Sequence, residues 1–199
     1  VGLIASQPLR MAGVLDCDSS DKAARFVRFC DAFGIPIVTF TDVPGYLPGA
    51  SQESMGIIRH GAKLLYAFSE ATVPKINIIL RKAFGGAYIA MNSKHIGCDY
   101  VYALRTSEIA VMGEDGAVEI LFAKEAAALP EEERKAFLAE KAAAYRQKTM
   151  NPTLGLERGY IDELIELGDI RAKLMERLPC CGKRGFVRTL RKKHGNIPL

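Results

Sequence analysis

The 199-residue chain lacks the common signatures of a self-sufficient catalyst. It has no Gly-x-Ser-x-Gly nucleophile elbow, no phosphate-binding P-loop, no dinucleotide fingerprint and no His-Glu-x-x-His metal motif. No apolar run approaches the roughly 20 residues a membrane span needs, and the opening does not read as a signal peptide, so direct membrane insertion is not expected. The five cysteines (Cys17, Cys30, Cys98, Cys180 and Cys181) are odd in number and lack zinc-type spacing. They fit a reducing, cytoplasmic setting better than a disulfide framework. His60 and His95 fall in expected helices with no partner at metal-ligand spacing. Asp16, Asp18 and Asp21 resemble a metal cluster, but no glycine-bearing calcium loop follows, and Asp18 and Asp21 suit helix capping better. No repeat of 20–50 residues is present.

The composition is globular, with 49% apolar and 25% charged residues, and the length suits one sizeable domain whose core needs no disulfide or metal. The net charge of +4 is unevenly placed. Lys183, Arg184, Arg188, Arg191, Lys192 and Lys193 crowd into a basic tail, 183–199, and leave the rest slightly acidic. Without interleaved aromatics or a binding motif, this tail reads as solvated or subunit-contacting, and no nucleic acid is expected. Val1-Gly2-Leu3-Ile4-Ala5 reads as a strand already under way, as in a segment of a longer polypeptide or a trimmed one.

Strand and helix signals alternate. Residues 2–6 and 12–15 read as short strands, and Asp18-Ser19-Ser20-Asp21 as the cap of a helix that Gly34 ends. A buried strand over 35–43 leads into the loop Pro44-Gly45-Tyr46-Leu47-Pro48-Gly49. One long helix is expected over 52–70, a strand over 73–80, and a helix from Ala87 to near Gly97. Short strands over 100–104 and 108–112 follow. The remainder reads as helical, with an Ala-rich helix started by Pro130 and its three glutamates, and a last helix over 169–178. The order implies an α/β fold with mostly parallel strands and right-handed crossovers. Ligands in such folds sit at the carboxyl ends of strands, where the Pro-Gly loop and Gly85-Gly86-Ala87 would lie side by side if their strands are neighbours.

Gly85-Gly86-Ala87 turns an apolar strand into a helix through small residues. Free backbone N–H groups at such a helix start suit an oxygen that gains negative charge, although glycine pairs at these turns also serve geometry alone. Oxyanion donors without an obvious base or nucleophile point to a reaction in which a cofactor or another chain supplies the rest.

Several long stretches resemble one family. These are Leu15-Asp16-Cys17-Asp18-Ser19-Ser20-Asp21-Lys22-Ala23-Ala24-Arg25-Phe26-Val27-Arg28-Phe29-Cys30-Asp31-Ala32-Phe33, Thr41-Asp42-Val43-Pro44-Gly45-Tyr46-Leu47-Pro48-Gly49, Ile57-Ile58-Arg59-His60-Gly61-Ala62-Lys63, Arg81-Lys82-Ala83-Phe84-Gly85-Gly86-Ala87-Tyr88, Glu108-Ile109-Ala110-Val111-Met112-Gly113, and the closing Lys193-His194-Gly195-Asn196-Ile197-Pro198-Leu199. Together they resemble the carboxyltransferase (beta) subunits of biotin-dependent acyl-CoA carboxylases of the propionyl-CoA and acetyl-CoA type, and the alpha subunits of methylmalonyl-CoA and glutaconyl-CoA decarboxylases. The resemblance covers the whole chain and maps it, residues 1–199, to the C-terminal of two crotonase-fold halves.

The resemblance implies that carboxybiotin, on a separate biotin carboxyl carrier domain, exchanges CO2 with the α carbon of a short-chain acyl-CoA, and that the biotin nitrogen takes the α-proton. It gives Gly86 and Ala87 the ureido oxygen, and it assigns biotin binding to Val43, Pro44, Gly45, Tyr46, Leu47, Phe84, Gly85 and Tyr88. Ile89 stands where many propionyl-CoA carboxylases carry Asp and so bears on substrate choice. Tyr102-Ala103-Leu104-Arg105 replaces the family's aromatic-Ala-Trp-Pro run. An N-terminal half from a neighbouring subunit is expected to bind the acyl-CoA, within a homo-oligomer from dimer to hexamer. The apolar faces around 57–68 and 130–150 are expected to meet neighbours. A biotin-dependent decarboxylase and a non-catalytic assembly module are the alternative readings.

Overall fold

The computed structural model describes residues 1–181 and Pro198, so the basic tail, apart from Pro198, lies outside the described residues. Six parallel-paired strands form one sheet: β1 (Gly2–Ala5), β2 (Ile37–Val43), β3 (Lys75–Phe84), β4 (Tyr100–Leu104), β5 (Glu108–Ala110) and β6 (Glu163–Ile165). The order is β1-β2-β3-β4-β6, with β5 paired to β3. The central strands β2 and β3 are buried along most of their length, as expected for strands covered on both faces, with Thr39, Thr41 and Asn77 among the buried residues. On one face, α1 (Cys17–Ala32) and α3 (Ile57–Glu70) bury Ala24, Val27, Leu64 and Phe68 against Ile37, Ile79 and Ala103. On the other face, Val38, Ile76, Ile78, Tyr102 and Ile165 pack under Leu174 and Leu178 of α9 (Ile170–Cys180). Two tyrosines of β4 fill this side: Tyr102 is 1% exposed, and Tyr100 stacks parallel to it beneath the Arg177 guanidinium.

Several boundaries differ from expectation. Residues 12–15 are not a strand, because Met11 and Ala12 are left-handed (φ 49° and 54°) and form a 3-10 turn over Met11–Gly13; only Leu15 makes a bridge, to Tyr46. The cap of α1 is Asp16 rather than the 18–21 segment. Its carboxylate accepts the Ser19 N–H at 2.8 Å while the Ser19 hydroxyl accepts the Asp16 N–H at 2.9 Å. Those bonds hold the Asp16 carboxyl below the usual carboxylate range. The single helix over 52–70 is two, α2 (Ala50–Met55) and α3, because Gly56 adopts φ 89° and closes one while opening the other. β3 runs to Phe84, since Lys82–Phe84 find a partner in β5. The expected helix from Ala87 to near Gly97 is the short α4 (Gly85–Ala90) and a 3-10 turn (Lys94–Ile96), separated at Asn92 (φ 63°).

The C-terminal part is not wholly helical. After α5 (Glu114–Leu121), α6 (Ala123–Ala127), α7 (Glu131–Thr149) and α8 (Pro152–Glu157), the three residues of β6 pair with Tyr102, Ala103 and Leu104. A run that short carries no readable periodicity. The apolar face expected to meet a neighbour at 57–68 is used inside the chain: Ile57, Leu64, Ala67 and Phe68 are buried, leaving Ile58 and Leu65 outside.

Candidate functional site

The two suspected loops do lie side by side. β2 and β3 pair in parallel with Val43 opposite Ala83, so the 44–49 loop and the glycine turn leave adjacent strands at the same end of the sheet. The pairing is irregular just before that end. Thr41 faces Ile79 but Val43 faces Ala83, so residues 80–82 of β3 bulge past Asp42 alone. Above the bulge β3 leaves β4, its partner over Ile76–Ile79, and takes up β5 over Lys82–Phe84.

The turn itself depends on Gly85. Its φ of +59° disfavours side chains, and a Cβ there would sit 2.8 Å from the Val111 carbonyl oxygen. Gly86 is different: it is exposed, and a Cβ on it would meet nothing within 4 Å. In the first turn of α4, the N–H groups of Gly86 and Ala87 have no carbonyl one turn earlier to accept them. Ala87 is wholly covered, so Gly86 is the donor open to a ligand and Ala87 lies one layer beneath. The far end of α4 is pinned from below, where the buried Asn92 amide donates to Thr39 Oγ1 (3.2 Å) and the Ile76 carbonyl (3.3 Å).

The 44–49 loop is tied down at three points. Leu15 N–H donates to the Gly45 carbonyl (3.0 Å), Leu47 N–H donates to the Leu15 carbonyl (2.8 Å), and the Tyr46 hydroxyl reaches the Gly61 carbonyl at 3.4 Å. A Cβ on Gly61 would fall 2.8 Å from the Tyr46 ring, so α3 supports this tyrosine closely. Burial pushes the Tyr46 phenol up to about 12.

The residues singled out in the sequence divide into two layers. Pro44, Gly45, Tyr46, Leu47 and Gly85 are half-buried and Gly86 is exposed, so these can meet a ligand. Val43, Phe84, Ala87 and Tyr88 are buried and shape the cradle from behind. The Tyr88 ring meets His95 edge-on, its phenol is raised by burial, and its hydroxyl has no partner among the described residues. Ile89 is half-buried and packs on the main core.

Other candidates fall away from the turn. Asp21 is not a cap; its carboxylate lies 2.9 Å from His60 Nδ1 and 3.2 Å from Lys63 Nζ. Partial burial raises its pKa, but these two partners outweigh that and leave it lowered. His95 is exposed and stacks on Tyr160. Among the described residues no group of His, Cys, Asp and Glu could hold a metal, and no helix is long and apolar enough to cross a membrane. A cavity of about 1040 Å3 runs along β1 between Leu3, Phe26 and Phe29 and includes no residue of the glycine turn. Sequence reasoning gave no role to Asp42 or Arg81. Asp42 Oδ1 and Oδ2 accept the Arg81 Nε–H at 3.2 and 3.0 Å, and Oδ1 accepts the Lys82 N–H at 3.1 Å. The readable signal was an Asp closing a buried strand ahead of Pro-Gly, with Arg-Lys at the end of the next.

Comparison with known proteins places this geometry. Residues 1–197 match the carboxyl transferase domain family. The chain is 53% identical to a propionyl-CoA carboxylase carboxyltransferase subunit of Haloferax mediterranei and 53% identical to a methylmalonyl-CoA decarboxylase subunit alpha of Veillonella parvula. Each match takes in the whole chain but only 38% and 37% of those proteins, so the chain spans well under half the length of these relatives. Among solved structures it is similar to transcarboxylase 12S, a hexamer with methylmalonyl-coenzyme A bound, at a TM-score of 0.92 and 49% identity over all of this chain and 38% of that one. The sheet and its helical crossovers are therefore the crotonase-like α/β fold of these carboxyltransferases. The chain belongs to the carboxyl transferase domain family.

Proposed function

We propose that the chain is the biotin-binding, C-terminal half of an acyl-CoA carboxyltransferase, acting in transfer of a carboxyl group between biotin and the α carbon of a short-chain acyl-CoA. The observation that carries this reading is the open Gly86 amide at the start of α4, beside the anchored 44–47 loop. Biotin fits this cradle by its chemistry: its ring is flat and largely apolar, and it ends in a ureido oxygen that needs donors. The space above Gly86 is open where a side chain would block such a group. When bound, the cofactor would supply the transferable carboxyl group and the base for the α-proton. The chain's own part is to hold an oxygen that gains negative charge at Gly86, where the α4 dipole adds to the N–H. The Ala87 N–H is the second donor in this reading, in a residue that the chain covers fully. Pro44, Gly45, Tyr46 and Leu47 flank the ring.

The acyl-CoA half-site, a biotin carboxyl carrier domain and association into dimers or a hexamer are supplied by other chains in this reading. The hexamer of transcarboxylase 12S supports the last point. A decarboxylase uses the same site in the opposite direction, and the equal identity to the Veillonella parvula subunit supports that alternative equally.

The test is complementation. The 199-residue chain alone is expected to show no carboxyltransferase turnover, and adding an N-terminal half of a carboxyltransferase subunit is expected to restore it. Biotin-dependent decarboxylation of a malonyl-type CoA ester by the isolated chain, at a rate near that of a complete subunit, would overturn the division of labour proposed here.

A further inference from the structure

We infer that Asp42 is a positioning residue that fixes the glycine turn and the 44–47 loop relative to each other. This rests on the proposed function for its catalytic consequence, but its structural part stands alone. Asp42 is the penultimate residue of β2, just before Val43 and the loop, and it is 7% exposed. Its carboxylate crosses to β3 at the bulge, taking the Lys82 N–H at 3.1 Å and the Arg81 Nε–H at 3.2 and 3.0 Å. Its own N–H donates to Ser6 Oγ at 3.2 Å, and its carbonyl oxygen is so close to Gly13 that a Cβ there would fall 2.7 Å away. One residue thus touches the end of β1, the 3-10 turn, the start of the loop and the approach to the glycine turn.

The bulge explains why a carboxylate is needed. With three residues of β3 opposing one of β2, the ladder cannot pair every backbone group there. The Lys82 N–H is one that the carboxylate takes instead, through a charge-assisted bond. From Lys82 the chain runs as paired strand through Ala83 and Phe84 straight into Gly85. A shift at Lys82 therefore travels along a stiff segment to the Gly86 N–H. An ordinary surface ion pair would hold only two side chains, and the exposed Arg81 side of this interaction has that character. The bond to the Lys82 backbone does not.

The experiment compares Asp42→Asn and Asp42→Ala with the parent. Asn keeps an acceptor for the Lys82 N–H, whereas Ala removes it. Two readouts are taken: steady-state kinetics of the chain complemented with an N-terminal half, and amide hydrogen exchange of the chain by itself. Asp42→Ala is expected to lower kcat by roughly 10- to 100-fold, as for a small misplacement of a reacting group. The KM for acyl-CoA should stay within about twofold, because a change confined to positioning leaves substrate binding intact. Asp42→Asn should recover part of the lost kcat. Exchange should quicken over residues 82–88 in Asp42→Ala, less so in Asp42→Asn, with α1 and β4 unchanged. Unchanged kcat in both variants, or equal losses in kcat and in KM for acyl-CoA, would overturn the inference. So would exchange that is unaltered or raised evenly along the chain. If the complemented parent itself is inactive, the proposed function fails, and the exchange pattern alone decides whether Asp42 positions the turn.

Discussion

The strand-end cradle and the helical arm that follows β5 are held by opposite means. In the cradle, placement comes from backbone features that tolerate few substitutes: the bulge opposite Asp42, the left-handed Gly85 against the Val111 carbonyl, and the Tyr46 ring against Gly61. The arm, α5 to α7, buries little. Ala117, Val118, Ala126 and Ala142 are its buried apolar residues, while Ile120 and Leu121 are 68% and 63% exposed. It coheres through side-chain pairs between its helices and to β5, with Phe122 edge-on to Phe137, Lys141 over both rings, and Arg146 paired to Glu114 and to Glu108 of β5. Glu131, Glu132 and Glu133 at the start of α7, with Arg146 and Lys148 at its end, complement the helix dipole. One region is specified by close backbone fit, the other by helix propensity and side-chain charge.

The adjacent glycines give the sharpest way to break that comparison, because they separate reactivity from fold within one turn. Gly86→Val places its side chain in open space, so the chain should fold normally. In the complemented enzyme it should lose on the order of 10²-fold or more in turnover, comparable to losing an oxyanion donor. Gly85→Ala should instead destabilise the chain by about 1–3 kcal/mol, because it strains a left-handed residue and meets the Val111 carbonyl. Thermal melting with kinetics on both variants checks this. A silent Gly86→Val, or a Gly85→Ala that melts like the parent, would remove the distinction.

The same contrast explains what could be read from the sequence. The arm's main helix was legible because Pro130 and its acids signal a start, and the alanines that follow favour helix whatever they pack on. That the strands are mostly parallel was legible from alternating apolar strands and helices. Which strands pair was not, so the adjacency of the two loops was expected only if theirs were neighbours, as β2 and β3 are. The bulge and the role of Asp42 were not legible, since both depend on residues about 40 positions apart meeting across a register shift. The break at Gly56 was hidden because the polar run Ser51-Gln52-Glu53-Ser54 before it has no apolar period that would set a separate helix apart. The resemblance supplied biotin and the roles around the turn; composition and spacing alone had left an oxyanion site without a partner.

Raising the pH should loosen the cradle before the arm. The buried Tyr46 phenol is pushed up to about 12 and that of Tyr88 is also raised, both by burial. An unfolded tyrosine ionises near 10. A group whose folded pKa is raised contributes stability that is full below the unfolded value and lost as pH climbs through the folded one. Melting temperature should therefore hold steady below about pH 10 and decline from there toward pH 12 as these phenols lose their protons. Tyr46→Phe should soften that decline. Melting curves recorded with phenolate absorbance test it, and a Tyr46 that ionises near pH 10 in the native chain would count against a tightly held loop.

The smallest effects are expected where sequence habit would look first, at the histidines. Both sit close to the site's supports without entering it. His60 pairs with Asp21 between α1 and α3, one residue before the Gly61 that backs Tyr46. His95 lies on Tyr160 at the surface, edge-on to the buried Tyr88. If the base comes with the cofactor, neither imidazole moves a proton in the reaction. His60→Ala and His95→Ala should then keep most of the turnover of the complemented enzyme, with His60→Ala costing some stability through its pair. Ala87→Ser belongs with them, because it preserves the N–H and adds one hydroxyl; its only penalty is the fit of that hydroxyl in a fully covered position. An inactive but folded His95→Ala would mean that the protein supplies the proton acceptor after all, and the cradle would have to be read as binding a substrate rather than a cofactor that brings its own base.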